Sequence, residues 1–171
     1  MMLGNRIALA ALTFCSVVVV ALPRHPSPFL VWNASASAPI GLYRVQSIRT
    51  LSPGELVVIR PPEPLAAFLA GRGYLPEGVP LLKHVAAVRG QTVCRRDAVV
   101  VIDGVTAASA GAADHIGRPL PSWHGCRVLR EREVFVLNSP ADSLDSRYFG
   151  ALPMFSIIGR AVPLWLMNDH R

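Results

Sequence analysis

Lysine is almost missing from this chain. Of its 171 residues, seventeen are lysine or arginine, and Lys83 is the only lysine. Acidic residues are few as well, eleven in all, which leaves a net charge of +6. The arginines are dispersed, with small clusters only at Arg95-Arg96 and from Arg127 to Arg132. A nucleic-acid surface needs a denser basic face with interleaved aromatics, so no nucleic acid is expected as a partner. A basic domain tethered to a membrane would suit anionic headgroups, and a solvated arginine-rich surface needs no partner at all. Zinc-ligand patterns are missing too. A zinc hydrolase would have to draw on His84, His115, His124, Cys94 and Cys126. Their spacings match no ligand set, and no glutamate sits beside paired histidines. Neither metal nor cofactor is expected. There is no internal repeat and no long amphipathic helix.

Apolar residues make up 51% of the chain, and the mean hydropathy is +0.39. The excess is concentrated at one end. From Ile7 to Leu22 only Thr13, Cys15 and Ser16 interrupt an apolar run. As a helix it spans roughly 24 Å at about 1.5 Å per residue, short of a hydrocarbon core of about 30 Å but passable with local thinning. Pro23 and Pro26 end it. A cleaved signal peptide is the alternative, but the small-residue patterns Ala34-Ser35-Ala36 and Ala36-Ser37-Ala38 lie far beyond the run. The expected organisation is a short cytoplasmic N-terminus (1–6), a transmembrane anchor (7–22), a proline-rich connector (23–32) and an exported domain (33–171). With Cys15 in the anchor, Cys94 and Cys126 are the pair left for a disulfide in an oxidising compartment.

The exported part reads as mainly β with antiparallel pairing. Strand-like stretches rich in Val, Ile and Leu run over 41–46, 55–60, 82–88, 98–102, 133–137 and 157–166, bounded by Gly, Pro, Asp or Asn. Asp103-Gly104 reads as a tight hairpin turn. Residues 64–69 suit one short helix, and 106–124 reads as a loop.

Three segments carry candidate chemistry. Lys83 lies in the apolar run Pro80 to Val88, where a chain that otherwise uses arginine has kept lysine. Lysine can lose its proton when buried, and arginine cannot. That is how a lysine becomes a general base. The alternative is a strand-end lysine extending its ammonium to water. Ser35 and Ser37 alternate with alanines ahead of Pro39 and Gly41, an arrangement that leaves a hydroxyl open or simply links two domains. A serine becomes a nucleophile when a base takes its proton, and Ser-Lys pairs are one such arrangement. The third segment, Asn138 to Gly150, is a polar loop in which Asp145 and Arg147 stand ready to pair.

Together these segments resemble the type I signal peptidase superfamily of membrane-anchored Ser-Lys peptidases. Asp145-Ser146-Arg147-Tyr148-Phe149-Gly150 resembles the Asp-Ser-Arg box of that family, and Leu82-Lys83-His84-Val85 its lysine box, with His84 where a second basic residue is usual. Val101-Ile102-Asp103-Gly104 is similar to the hairpin that follows. The serine segment lacks the Ser-Met-x-Pro form of general signal peptidases. Its Asn33-x-Ser35-x-Ser37-x-Pro39-x-Gly41-Leu42-Tyr43 form resembles the TraF-type conjugal transfer peptidases.

The resemblance implies a signal-peptidase-like antiparallel β domain behind one transmembrane helix, in a bacterial inner membrane with the catalytic domain in the periplasm. It implies Ser37 as nucleophile and Lys83 as its base. Ser35 and the Ser37 N–H would bind the oxyanion, Ser143 would orient the lysine, and Asp145 and Arg147 would brace the site. The implied substrate is the pilin precursor of a conjugative type IV secretion system, cleaved and in some members cyclised. Membrane lipid and other transfer components would be partners. A general signal peptidase and a non-catalytic assembly subunit are the alternatives. Aromatic and apolar residues Phe29 to Trp32 would rest at the headgroup level or form the first core strand.

Overall fold

Branched side chains pack well on a pleated, half-buried surface, so the Val/Ile/Leu-rich stretches become strands. The computed structural model describes residues 29–167. Its elements are β1 (Leu30–Asn33), β2 (Gly41–Gln46), β3 (Leu56–Ile59), α1 (Glu63–Gly71), β4 (Leu81–Ala87), β5 (Thr92–Arg96) and β6 (Val99–Ile102). They continue with β7 (Val105–Ser109), β8 (Gly125–Val128), β9 (Glu133–Leu137), the short α2 (Ser146–Phe149), β10 (Leu152–Pro153) and β11 (Ile157–Leu166). Seven strands form one sheet in the order β1-β2-β11-β3-β4-β9-β10, and four form a second in the order β7-β6-β5-β8. Every pairing between these strands is antiparallel.

The mainly β expectation agrees with this architecture, and the helix expected over 64–69 lies within α1. Asp103 and Gly104 both take positive φ, 48° and 84°, and Ile102 pairs directly with Val105. That is the two-residue hairpin the sequence announced. Several strands differ from expectation. Of the two alternatives for Phe29 to Trp32, β1 is the first core strand, at the end of the stretch read as connector, because Leu30 to Asn33 pair along β2. β7 takes the first residues of the segment read as a loop, held by its ladder to β6. The predicted N-terminus (1–6), the predicted anchor (7–22) and most of the connector lie outside the described residues. Among the described residues no helix is long and apolar enough to cross a membrane.

The larger sheet builds the floor of the candidate site. Val57, Ile59, Val85, Val134 and Val136 pack as one buried cluster. Lys83 sits opposite Val57 on β3. Residues two apart on a strand share a face, so Lys83 points the same way as Val85, toward this apolar layer. A second cluster, with Ala87, Val93, Val100, Leu129, Phe135 and Leu137, joins the two sheets. At Gly41 the β2 and β11 backbones come so close that a Cβ would stand 2.2 Å from the Trp165 carbonyl oxygen, which only glycine allows.

In the smaller sheet Cys94 of β5 lies directly opposite Cys126 of β8. They form a disulfide with the Cα atoms 4.0 Å apart and 32 residues of sequence separation. Closing such a loop restricts the unfolded chain by about 3–4 kcal/mol in the chain-entropy account. Replacing both cysteines by alanine is expected to lower stability by about that much. Urea unfolding of the purified chain under oxidising conditions measures it, and reductant should move the native protein toward the variant.

Candidate active site

The serine segment is shaped by Asn33, the last residue of β1. Its side-chain Nδ2 donates to the carbonyls of Ser35, Ala38 and Pro39 at 2.9, 3.0 and 3.0 Å. Its Oδ1 accepts from the Ser35 N–H at 3.1 Å. One buried carboxamide thus ties the whole turn that carries Ser37. Tyr43 of β2 closes the far side by donating its hydroxyl to the Pro39 carbonyl at 2.6 Å. Within the turn, Ser35 Oγ and Ser37 Oγ lie 3.0 Å apart, and the Ser37 N–H points at Ser35 Oγ, 3.3 Å away. Ser35 is exposed and Ser37 half-buried.

Lys83 is 4% exposed in the middle of β4. Its Nζ donates to Ser143 Oγ at 2.7 Å. It does not reach water as a strand-end lysine would. Burial pulls its pKa from the usual 10.5 down to about 8, opposed by the charge of Asp145, aided by that of Arg147 and opposed again by Asp142. The hydrogen bond of Lys83 therefore goes to Ser143, while Ser37 Oγ is approached by Asn138, whose Nδ2 lies 3.4 Å away.

Asp145 and Arg147 form a fully buried ion pair. Arg147 Nε donates to Oδ1 at 2.8 Å and Nη2 to Oδ2 at 3.0 Å. Asp145 also caps α2, accepting from the Arg147 N–H at 3.1 Å, a role that short acidic side chains perform at helix starts. The remaining guanidinium donors go to the carbonyls of Asn138, Ala141 and Ser109. The smaller sheet holds the same helix. Arg95 of β5 is buried and donates to the Arg147 carbonyl at 2.7 Å. Trp123 donates to the Ser146 carbonyl at 3.1 Å, and the Gly111 N–H to the Tyr148 hydroxyl at 3.0 Å.

The structure thus brings Ser35 beside Ser37, Lys83 beside Ser143, and Asp145 onto Arg147. Three further residues emerge that sequence reasoning passed over. They are Asn33, Asn138 and Arg95, whose donors and acceptors look the same in a loop as in a site. The run Asn33-x-Ser35-x-Ser37 did hold one signal, since an asparagine ahead of a turn can bond its backbone. Cys94 and Cys126 are bonded to each other, so neither is a thiolate for zinc. Among the described residues no group of histidine, cysteine and acidic side chains could hold a metal. A cavity of about 520 Å³, lined in part by His84, Leu137, Asn138 and Ser139, opens beside the site. A larger one, about 780 Å³, lies between β1, α1 and the start of β4, and none of the predicted site residues lines it.

Breaking the buried pair from one side should be costly. Arg147→Met leaves Asp145 charged, buried and short of donors, an effect of about 3–5 kcal/mol. The expected result is a large drop in the urea midpoint of the purified chain. A shift under 1 kcal/mol would mean that the pair is not what holds α2 in place.

The family model described as signal peptidase, peptidase S26, matches residues 3–166. The conjugal transfer protein TraF of Agrobacterium fabrum (strain C58) is 38% identical over 148 residues, covering 80% of this chain and 82% of that protein. The probable conjugal transfer protein TraF of Sinorhizobium fredii (strain NBRC 101917 / NGR234) is 38% identical over 139 residues, covering 75% and 73%. Among solved structures, a signal peptidase I from Enterococcus faecalis V583 aligns at 20% identity with a TM-score of 0.39, over 67% of this chain and 98% of that one. The chain belongs to the signal peptidase family, peptidase S26.

Proposed function

We propose that this protein is a membrane-anchored serine peptidase of conjugal transfer, with Ser37 as nucleophile and Lys83 as general base, and that it processes a pilin precursor. One observation carries the catalytic part of the reading. The chain's single lysine is buried, hydrogen-bonded to Ser143 at 2.7 Å, and shifted to a pKa of about 8. An amine in that state is neutral often enough near neutral pH to take a serine proton. It then returns the proton to the departing amine, leaving an acyl-enzyme on Ser37 that water or a substrate amine resolves. Ser35 Oγ, 3.0 Å from Ser37 Oγ, is close enough to help hold the developing oxyanion once it releases the Ser37 N–H.

The substrate part of the reading rests on the relatives named as conjugal transfer proteins. It also rests on the serine segment, Ser37-Ala38-Pro39, which is one residue shorter than the Ser-Met-x-Pro form of general signal peptidases and lacks its methionine. An apolar face supports the membrane location. Trp32 stacks on Trp165 with ring centroids 5.7 Å apart, and both pair with Leu42 of the strand between them. Phe29, Leu30, Leu164 and Met167 are exposed around them. Aromatic side chains of that kind settle at the headgroup level, which would hold the site within reach of a membrane-inserted precursor.

The test is mass spectrometry of the co-expressed pro-pilin of the same transfer system, with the native chain, Ser37→Ala and Lys83→Ala. Both variants should reach the membrane and leave the precursor uncut. A native product lighter by one further water would indicate ring closure. Normal processing by both variants would sink the catalytic assignment and favour an assembly role. The pH dependence is a second check. The base works when deprotonated, so kcat/KM should rise with pH through about 8 and level off above it. At pH 7 it should stand near one tenth of the plateau, from about one neutral amine in eleven. A flat profile between pH 6 and 9 would show that no such lysine limits the reaction.

A further inference from the structure

We propose that Asn138 is the positioning residue of the nucleophile: its carboxamide holds Ser37 against β4, and the buried Asp145–Arg147 pair acts on Ser37 through it. This rests on the reading of Ser37 as nucleophile and adds the link between the serine turn and the ion pair.

Asn138 follows β9 and is 4% exposed. Both of its backbone groups are gripped by the ion pair. Its N–H donates to Asp145 Oδ2 at 3.0 Å, and its carbonyl accepts from Arg147 Nη2 at 2.5 Å. Its side chain crosses to two other elements. Nδ2 donates to the Leu82 carbonyl at 3.0 Å and approaches Ser37 Oγ at 3.4 Å. Oδ1 accepts from the His84 N–H at 3.1 Å and faces His84 Nδ1 at 3.0 Å.

The orientation of the carboxamide is settled by these partners. A backbone N–H can only donate and a backbone carbonyl can only accept, so the oxygen faces His84 and the nitrogen faces Leu82 and Ser37. Histidine Nδ1 must then carry its hydrogen to bond Oδ1. Leu82 and His84 flank Lys83 on β4, so Asn138 clasps the strand on both sides of the proposed base and points its remaining N–H at the proposed nucleophile. Every one of these groups is fixed independently: β4 by its ladders to β3 and β9, the serine turn by Asn33, and Asn138 by the ion pair.

The consequence is a division of labour. Ser37 Oγ accepts from Asn138 through one lone pair, which leaves the hydroxyl hydrogen free to turn toward a base. The 3.4 Å contact is long in the free protein, and contacts of this kind tighten when substrate fills the site. The bond constrains where Oγ sits; it takes no part in moving the proton. His84 matters only as the outer anchor of the carboxamide, and it sits at the lysine-box position where a second basic residue is usual.

The experiment uses the full chain in detergent with the pro-pilin of the same transfer system, measuring kcat and KM for Asn138→Ala, His84→Ala, His84→Asn and Ser37→Ala. A misplaced nucleophile costs about 100-fold in rate, so Asn138→Ala should lose about that in kcat with KM within about threefold of native. His84→Ala removes one hydrogen bond and no backbone contact, and should slow kcat by about two- to tenfold. His84→Asn places an amide N–H near the lost Nδ1 donor and should recover most of that loss. If Asn138→Ala fails to fold, the His84 pair decides alone. Native kcat in Asn138→Ala, or His84→Asn as slow as His84→Ala, overturns the positioning role. If Ser37→Ala is inert while Asn138→Ala is fully active, only the positioning role falls. If Ser37→Ala itself processes the precursor, the nucleophile reading falls and takes the positioning role with it.

Discussion

The ion pair between Asp145 and Arg147 is the constraint on which the site depends. Two charges removed from water gain little net stability unless their remaining donors and acceptors are satisfied. Here they are. All five guanidinium N–H groups have acceptors, in Asp145 and in the carbonyls of Ser109, Asn138 and Ala141. Asp145 in turn accepts from the N–H groups of Arg147 and Asn138 as well. A short polar segment after β9, with no core side chains of its own, is thereby fixed as firmly as a strand. Loops that carry function are positioned by rigid scaffolds, and in this fold Arg147 gathers the loop's carbonyls while β4 holds it through Lys83, Leu82 and His84.

The smaller sheet becomes intelligible from the same pair. Its strands β7 and β8 are almost wholly exposed, so it adds little to the apolar core beyond Val93 and Val100. It does contribute Arg95, which donates to the carbonyl of Arg147 itself. The Ser109 carbonyl at the end of β7, the Gly111 N–H and the Trp123 indole also bond α2 or its flanks. The disulfide joins β5 to β8 one residue from Arg95. The second sheet acts as a clamp on the back of the Asp-Ser-Arg helix, tied to the core by Val93 and Val100 and crosslinked within itself by the disulfide.

Those facts also explain what could be read from the chain. Strands of the larger sheet were legible because β3 and β9 are buried and rich in Val and Ile, and β4 is a short apolar run ahead of a turn. The hairpin at Asp103-Gly104 was legible because its backbone demands residues that tolerate positive φ. β8, Gly-Cys-Arg-Val, shows no alternation because neither face is covered, and β7 is built from Val, Thr, Ala and Ser with the same result. From the chain alone β1 stays open between connector and first core strand, because proline precedes it and its pairing partner lies beyond the serine turn. Among site residues, Asp145 and Arg147 are opposite charges two residues apart, so their pairing could be anticipated from the chain, whereas that of Lys83 with Ser143 came from the family resemblance. Asn33 offered only the weak signal of an asparagine ahead of a turn, and Asn138 offered none. A carboxamide bonds as readily to water as to a fold, and only the closing of the turn around Asn33, or the tertiary placement of β4 beside Asn138, gives it a task.

The same economy accounts for one lysine among sixteen arginines. At position 83 the side chain enters an apolar layer on the face of Val57 and Val85, where an arginine would remain charged and would need a carboxylate of its own. The carboxylate that acts most on Lys83, Asp145, is already paired with Arg147. Its charge raises the Lys83 pKa and that of Arg147 lowers it, so the two act on the lysine in opposite directions. Burial is then left as the leading influence, and it favours the neutral amine. A free aspartate in place of the pair would hold Lys83 protonated, and a free arginine would leave the loop without its anchor. A compensated pair next to an uncompensated lysine gives both a rigid loop and an amine whose pKa is lowered by burial.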